Sequence, residues 1–366
     1  MKSKPLLLTS LIVLLFAAAC QRNAPAPTES IFTTTGSPEP AMGIYDWSAL
    51  DKQLESFVPT TVPGLTFLLA KDGQVLYEKA LGNQTLDSVL PIASATKMPS
   101  SLVILTLVQD GLIGLDEPIG TYLQGHIDVP ADKAAITTRM LLNHTSGLNN
   151  KPACEFRPKS MLQTCAQEIL NDPLQFAPGT EFAYGGGGFQ VAGYLAEVVS
   201  GMSWNDLFQE RLSKPLGLTQ FSYTRGPLSS ETNPRLASGA SSNVTDYNKI
   251  LQMILSNRND GSGPSILIPE TITMLTTSQI SGLSVLETPA DTHLYPGYSF
   301  GFWISDPSLY PGSNGPEVSD EGALGCTPWI DFDLGYSAVL LIKADGETGR
   351  EIWNAIRPLI IDQLSH

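Results

Sequence analysis

The spacing of apolar residues changes along this chain, and the changes divide it into elements. In GLTFLLAKDGQVLYEKALG (64–82) two apolar runs meet at Asp72-Gly73, a dipeptide suited to a two-residue turn, so this stretch predicts a β-hairpin. Residues 101–115 and 188–200 carry apolar side chains at helical spacing. WNDLFQERLSKPLGL (204–218) does so too, entered behind Ser203, a good N-cap, and left near Gly217. TDYNKILQMILSN (245–257) predicts another capped amphipathic helix. Further on, YSFGFWISD, ALGCTPWID and GYSAVLLIKAD predict strands, and REIWNAIRPLIIDQLSH a last helix. Strands at both ends with helices between them predict an α+β fold: one antiparallel β-sheet built from both termini, flanked by helices, with a helical subdomain inserted. No internal repeat interrupts this order.

The N-terminus has a different character. MKSKPLLLTSLIVLLFAAAC places Lys2 and Lys4 before an apolar stretch and small residues directly before Cys20, the pattern of a bacterial lipoprotein signal. Residues 1–19 are therefore expected to be a signal peptide, and Cys20 the lipidated residue. Gln21 rather than Asp at the next position points to an outer-membrane destination facing the periplasm. Residues 20–43 continue as a Pro-, Thr- and Ser-rich tether too poor in apolar groups to fold, which leaves 44–366 as the globular domain.

Charge narrows the partners. The chain carries a formal −15, and removing residues 1–19 takes away two lysines and brings it to −17. An acidic chain argues against nucleic acid and against a basic membrane-binding face, so membrane association is expected through the lipid on Cys20 alone. With 42% hydrophobic residues against 16% charged, the domain can bury a large core.

Of the four cysteines, Cys154 and Cys165 lie close together in CEFRPKSMLQTC, and in an oxidising periplasm they are expected to form a disulfide. Cys326 is expected to be a small buried hydrophobe rather than a nucleophile, since no histidine lies near it in sequence.

Ser94-Ala-Thr-Lys97 is the one Ser-x-x-Lys in the chain, placed where a turn-rich run gives way to the helical segment PSSLVILTLVQDG. Residues i and i+3 at a helix start share a face, so the Lys97 amine can reach the Ser94 hydroxyl, and a base beside a hydroxyl is what a serine nucleophile needs. Two further blocks follow: ITTRMLLNHTSGL (136–148) and FAPGTEFAYGGGGFQVAGYLAEVVSG (176–201). In order and spacing the three resemble the serine β-lactamase and penicillin-binding-protein superfamily, including its esterase members, over about residue 44 to the C-terminus.

That resemblance implies an acyl-enzyme on Ser94, with Tyr184 at the tyrosine of the family's Tyr-x-Asn motif and facing the serine. Lys97 and Tyr184 would then move protons. An ordinary lysine, with a pKa near 10.4, is neutral at pH 7 in only roughly one molecule in a few thousand, so burial must lower it; the sequence leaves open which of the two groups removes the serine proton. Aligning SDEGALGCTPWID with the family's Lys-Thr-Gly motif puts Asp320, Glu321 and Gly322 on it, and Ala323 next, whose N–H with that of Ser94 would form the oxyanion hole.

Two departures bear on substrate. Gly186 stands where the family has the asparagine that grips a substrate amide, and Asp320 where it has a cation for a substrate carboxylate. With Gly186, Asp320, Glu321 and Gly322 as the substrate-binding set, the expectation is an esterase-like hydrolase. A β-lactamase or D-alanyl-D-alanine carboxypeptidase is the alternative, and a non-catalytic binding lipoprotein the second. The substrate would be a small-molecule ester, peptide or β-lactam.

Gly297-Tyr-Ser299-Phe-Gly301 spells the Gly-x-Ser-x-Gly elbow, but the elbow needs a helix after its serine and here a strand is predicted. His144 is expected to hold its loop rather than act as base. No His, Cys or carboxylate cluster has metal-ligand spacing and no phosphate-binding glycine loop precedes a helix, so neither metal nor cofactor is expected.

Overall fold

The computed structural model describes residues 45–223, 232–259, 266–289, 295–306, 308 and 312–365. Cys20 and the expected signal and tether segments lie outside the described residues.

β1 (Gly64–Lys71) and β2 (Gln74–Gly82) form the hairpin, with Asp72 and Gly73 both at positive φ, 52° and 75°, as a two-residue turn matching the strand twist requires. Two small pairings lie outside the main sheet: β3 (Leu90–Pro91) with β5 (Ser241–Ser242), and β4 (Glu181–Ala183) with β6 (Ser284–Glu287). The C-terminal part adds β7 (Gly297–Tyr298), β8 (Trp303–Ile304), β9 (Glu317–Ser319), β10 (Cys326–Asp331) and β11 (Tyr336–Ile342). The main sheet has seven antiparallel strands in the order β2-β1-β11-β10-β9-β8-β7, so the first hairpin pairs with the last strand of the chain, Leu65 opposite Ile342.

Both faces of this sheet are covered. Leu65, Phe67 and Leu69 of β1, with Ala338 and Leu340 of β11, pack on α1 (Ser48–Ser56) and on the C-terminal helix Gly346–Leu364. The alternate residues Leu68, Ala70, Val339 and Leu341 face the other way, into the core shared with the helical subdomain. That subdomain comprises α2 (Lys97–Gln109), α3 (Gly120–Leu123), α4 (Thr138–Leu142), α5 (Leu162–Asn171), α6 (Gly187–Ser200), α7 (Trp204–Phe208), α8 (Lys214–Leu216), α9 (Val244–Asn259) and α10 (Pro269–Leu275); the C-terminal helix is α11.

Several boundaries differ from the sequence pattern. Helix α2 starts four residues earlier than the periodicity indicates, because residues 97–107 are buried all round and no polar face marks its beginning. It ends at Gln109, where Gly111 turns at φ 73°, although apolar spacing continues beyond. The 204–218 helix is interrupted by a π turn at Gln209–Ser213, just before Pro215, which lacks an N–H to donate. YSFGFWISD is not one strand but two, folded back through Gly301 at φ 82°. Helix α11 begins at Gly346 because Asp345 caps it, accepting from the Thr348 N–H at 2.8 Å.

Candidate active site

Ser94 lies not at a helix cap but inside a 3-10 turn, Ala93–Thr96, that leads into α2. The residue before it, Ala93, is held at φ 47°, a conformation that costs about 1–3 kcal/mol and collects at functional sites. This bend leaves Ser94 half-buried at the wall of a cleft of about 1100 Å³. Lys97, the first residue of α2, reaches back so that its Nζ donates to Ser94 Oγ at 3.4 Å and to the Ala237 carbonyl at 2.8 Å.

The side chain of Lys97 is almost wholly buried, and its amine sits 4.3 Å from the centroid of the Tyr184 ring. Burial pulls its pKa down to about 8; the fields of Asp320 and Glu155 push back up and that of Arg235 down. At pH 7 roughly one lysine in ten is then neutral, hundreds of times more than for a free side chain. Tyr184 shifts the other way: burial and the field of Asp320 hold its pKa well above the usual phenol range, and the nearby Ser94 hydroxyl offsets only part of this. The phenol is therefore protonated, and the neutral amine is the group able to accept a proton from Ser94.

Tyr184 is placed by the motif block around it. Its N–H donates to Glu287 of β6 and its carbonyl accepts from Asn150, while His144 packs a ring 4.7 Å away. His144 is buried, kept neutral by burial, and hydrogen-bonded at 3.0 Å to Tyr298, so it props the aromatic cluster behind Tyr184.

The third block needs correction. Asp320 was expected to face substrate, but its carboxyl is fully buried and accepts from the Met98 N–H at 2.8 Å, beneath the first turn of α2. The unpaired N–H groups of a helix start attract a carboxylate, and Asp320 answers that demand rather than a ligand's. Burial drives its pKa well above the ordinary carboxylate range. The Glu321 carboxyl is likewise engaged within the protein, accepting from Arg350 at 2.9 Å and from the Tyr295 hydroxyl. Gly322 is required by close packing, since a Cβ there would lie 2.1 Å from the Ile92 carbonyl, two residues before Ser94. Ala323 is exposed and lines the same cleft as Ser94.

Gly186 stands two residues after Tyr184, at the start of α6. Its side-chain volume is filled by the carboxyl of Glu155, carried on the 3-10 turn Ala153–Phe156. Cys154 and Cys165 are joined as a disulfide that ties this turn to α5. Ser299 is buried in the turn between β7 and β8, its Oγ donating to the Leu275 carbonyl, and it reaches no cleft. Cys326 is a buried free thiol.

Sequence reasoning missed Arg235, the one charged side chain lining the Ser94 cleft among the described residues, with its guanidinium 4.4 Å from the Phe156 ring. It also missed Glu155 and the Ala237 carbonyl that anchors Lys97. These residues carry no motif, and only the chain path brings them to the serine.

Comparison with known proteins agrees with this geometry. The profile of the β-lactamase family matches residues 50–359. Among curated proteins, the chain is 28% identical over 242 residues to an Escherichia coli O157:H7 protein provisionally named a D-alanyl-D-alanine carboxypeptidase, covering 58% of this chain and 54% of that one. It is 32% identical over 180 residues to the lovastatin esterase of Penicillium rubens, covering 40% and 45%. The chain thus spans about half the length of the curated relatives it matches. A solved structure of a provisionally named β-lactamase from Bacteroides dorei superposes with a TM-score of 0.73 at 28% identity, covering 87% of this chain and 99% of that one.

Proposed function

The chain belongs to the β-lactamase family of serine hydrolases, and within it we propose an esterase-like enzyme that acts through an acyl-enzyme on Ser94. One observation carries this reading: the Lys97 amine, shifted toward its neutral form, lies within reach of the Ser94 hydroxyl beside a protonated Tyr184. Lys97 takes the Ser94 proton as Oγ attacks the acyl carbon. The Ser94 and Ala323 N–H groups hold the oxyanion; as the intermediate collapses, Tyr184 passes its proton to the leaving oxygen and takes up the one held by the Lys97 ammonium, so both groups end as they began. Water then releases the acid and restores Ser94.

An ester substrate is supported by the lining of the cleft. Val89, Phe156, Phe221, Tyr223 and Leu324 give it an apolar wall. The lovastatin esterase among the relatives points the same way. Arg235 favours a second reading, a peptidase or β-lactamase, because a cation in the cleft suits a substrate carboxylate. Fluorophosphonate labelling followed by a hydrolysis panel of neutral esters, D-amino-acid peptides and β-lactams tests both. We also propose that residues 1–19 are a signal peptide, that residues 20–43 tether domain 44–366, and that lipid on Cys20 anchors the protein at the periplasmic face of the outer membrane. The lipoprotein-like N-terminal pattern supports this.

A further inference from the structure

The carbonyl that anchors Lys97 belongs to a stretch with no helix or strand of its own. Ala237 lies within residues 233–240, so no hydrogen-bond ladder places its oxygen and side chains must do so instead. Two buried side chains supply that hold. On α2, Ser100 Oγ donates to the Leu236 carbonyl at 2.7 Å. On α6, Gln190 Oε1 accepts from the Leu236 N–H at 2.8 Å, while its Nε2 donates to Asn233 Oδ1 at 3.0 Å. Gln190 therefore grips both ends of the stretch 233–236, directly before the residue that holds the base.

Neither amide can be turned round. The Leu236 N–H only donates, and at the far end Asn233 Nδ2 donates at 2.9 Å to the Cys154 carbonyl, which only accepts. These two backbone groups fix which end of each amide is oxygen, so the run from Cys154 through Asn233 and Gln190 to Leu236 has one polarity. Gln190 and Asn233 are fully buried, where leaving any of these bonds unmade is costly. Gln190 also stands among Phe189, Val191, Ala192 and Leu195 in the buried part of α6, where an apolar side chain would pack as well unless the amide is needed.

We infer that Gln190 is a positioning residue for acyl transfer: by clamping 233–236 to α6 it holds the Ala237 carbonyl where Lys97 Nζ meets it at 2.8 Å, and so aims the amine at Ser94. The inference rests on the serine-hydrolase reading above. Gln190 and Ser100 hold two successive peptide groups, and the Ala237 carbonyl is on the next. With the Gln190 hold lost, that carbonyl can swing about the Ser100 one, and the amine follows it.

The test is the rate of Ser94 labelling by a fluorophosphonate across pH, with thermal melts, on wild type, Gln190→Met and Gln190→Asn. Methionine keeps the length and bulk but neither hydrogen bond. Gln190→Met is expected to lower the plateau labelling rate about ten- to a hundredfold in protein still folded at the assay temperature, the cost of a small misplacement of a reacting group. Its acidic limb is expected to move to lower pH, because a carbonyl stabilises the ammonium more than the amine and that support is weakened. A residue that serves stability alone would lower the melting temperature and leave rate and limb superimposed on wild type, which overturns the inference while leaving Ser94 as nucleophile. A lower rate with the limb unmoved overturns it too, since the loss would then not run through Lys97. Should Gln190→Met fail to fold, Gln190→Asn decides by the same two readings: one methylene shorter, its amide cannot span both Asn233 and Leu236. Absence of wild-type labelling at Ser94 would remove the hydrolase reading and this inference together.

Discussion

Lys97 is held closer to the Ala237 carbonyl, at 2.8 Å, than to Ser94, at 3.4 Å. A carbonyl only accepts, so whichever form the amine takes, one N–H stays committed to Ala237. In the neutral amine the lone pair is then free to point toward Ser94. Ala237 thus orients the base as well as anchoring it.

Ser94→Ala is expected to abolish fluorophosphonate labelling and hydrolysis. Ser299→Ala should keep labelling close to wild type and lower stability by about 1 kcal/mol, the worth of its hydrogen bond to Leu275. Labelling paired with thermal melts of both variants checks this, and loss of labelling at Ser299→Ala alone would move the nucleophile to the other motif.

Acylation by a neutral ester should rise about tenfold per pH unit below pH 7 and flatten above about 9, because the reactive form is the amine of a lysine titrating near 8. Lys97→Ala should remove this rise. Tyr184→Phe should lower the rate by orders of magnitude but keep the limb, since the phenol is protonated throughout the range. The double variant should lose much less than the product of the two effects, as groups sharing one proton path do. A limb that disappears in Tyr184→Phe and survives in Lys97→Ala would reverse the roles.

How far the chain reveals itself depends on whether a feature is local. The hairpin at Asp72-Gly73, the Ser94 and Lys97 spacing and the N-cap at Ser203 are all short-range, and all are present. Helix α2 was blurred because it is buried on every side, so periodicity could not mark its start. Asp320 was misread because a motif alignment gives a position but not a direction: the strand end turns that carboxyl under α2. Glu155 and Gly186 are 31 residues apart with no shared pattern, and the approach of the one's carboxyl to the other's Cα exists only in space.

Asp320→Ala should cost about 1–2 kcal/mol of stability, the usual worth of a lost helix-start acceptor, and Asp320→Asn less, since an amide oxygen can still accept from Met98. Asp320→Lys should destabilise more than either, because it buries a cation at the positive end of a helix. Denaturant midpoints for the three rank them. A stable Asp320→Lys protein with improved turnover of carboxylate substrates would return this residue to the cleft.

Metabolic labelling with a fatty-acid probe is expected to mark the full-length protein expressed in a Gram-negative host, and Cys20→Ser to lose the mark and leave the membrane fraction. Equal labelling of both proteins would place the modification elsewhere or rule it out.

Arg235 decides the substrate question. A carboxylate brought into a cleft with this guanidinium on its wall gains a charge-assisted hydrogen bond worth about 1.5–3 kcal/mol, about ten- to a hundredfold in rate. Nothing equivalent helps a neutral ester, which relies on the apolar wall of Phe156, Phe221 and Leu324. With Asp320 turned inward, no carboxylate among the described residues lines the cleft to repel a substrate's own, so the ester preference must come from acyl fit alone. On the esterase reading, acyl fit to that apolar wall outweighs what Arg235 offers a carboxylate, and wild type should turn over neutral esters faster than benzylpenicillin, judged by kcat/KM. Arg235→Ala should depress carboxylate-bearing substrates at least tenfold more than neutral esters. If instead Arg235→Ala affects both classes equally, the guanidinium supports the cleft through Phe156 rather than meeting substrate. Should wild type prefer benzylpenicillin or a D-alanyl peptide over every ester on the panel, the esterase reading gives way to the β-lactamase or carboxypeptidase one.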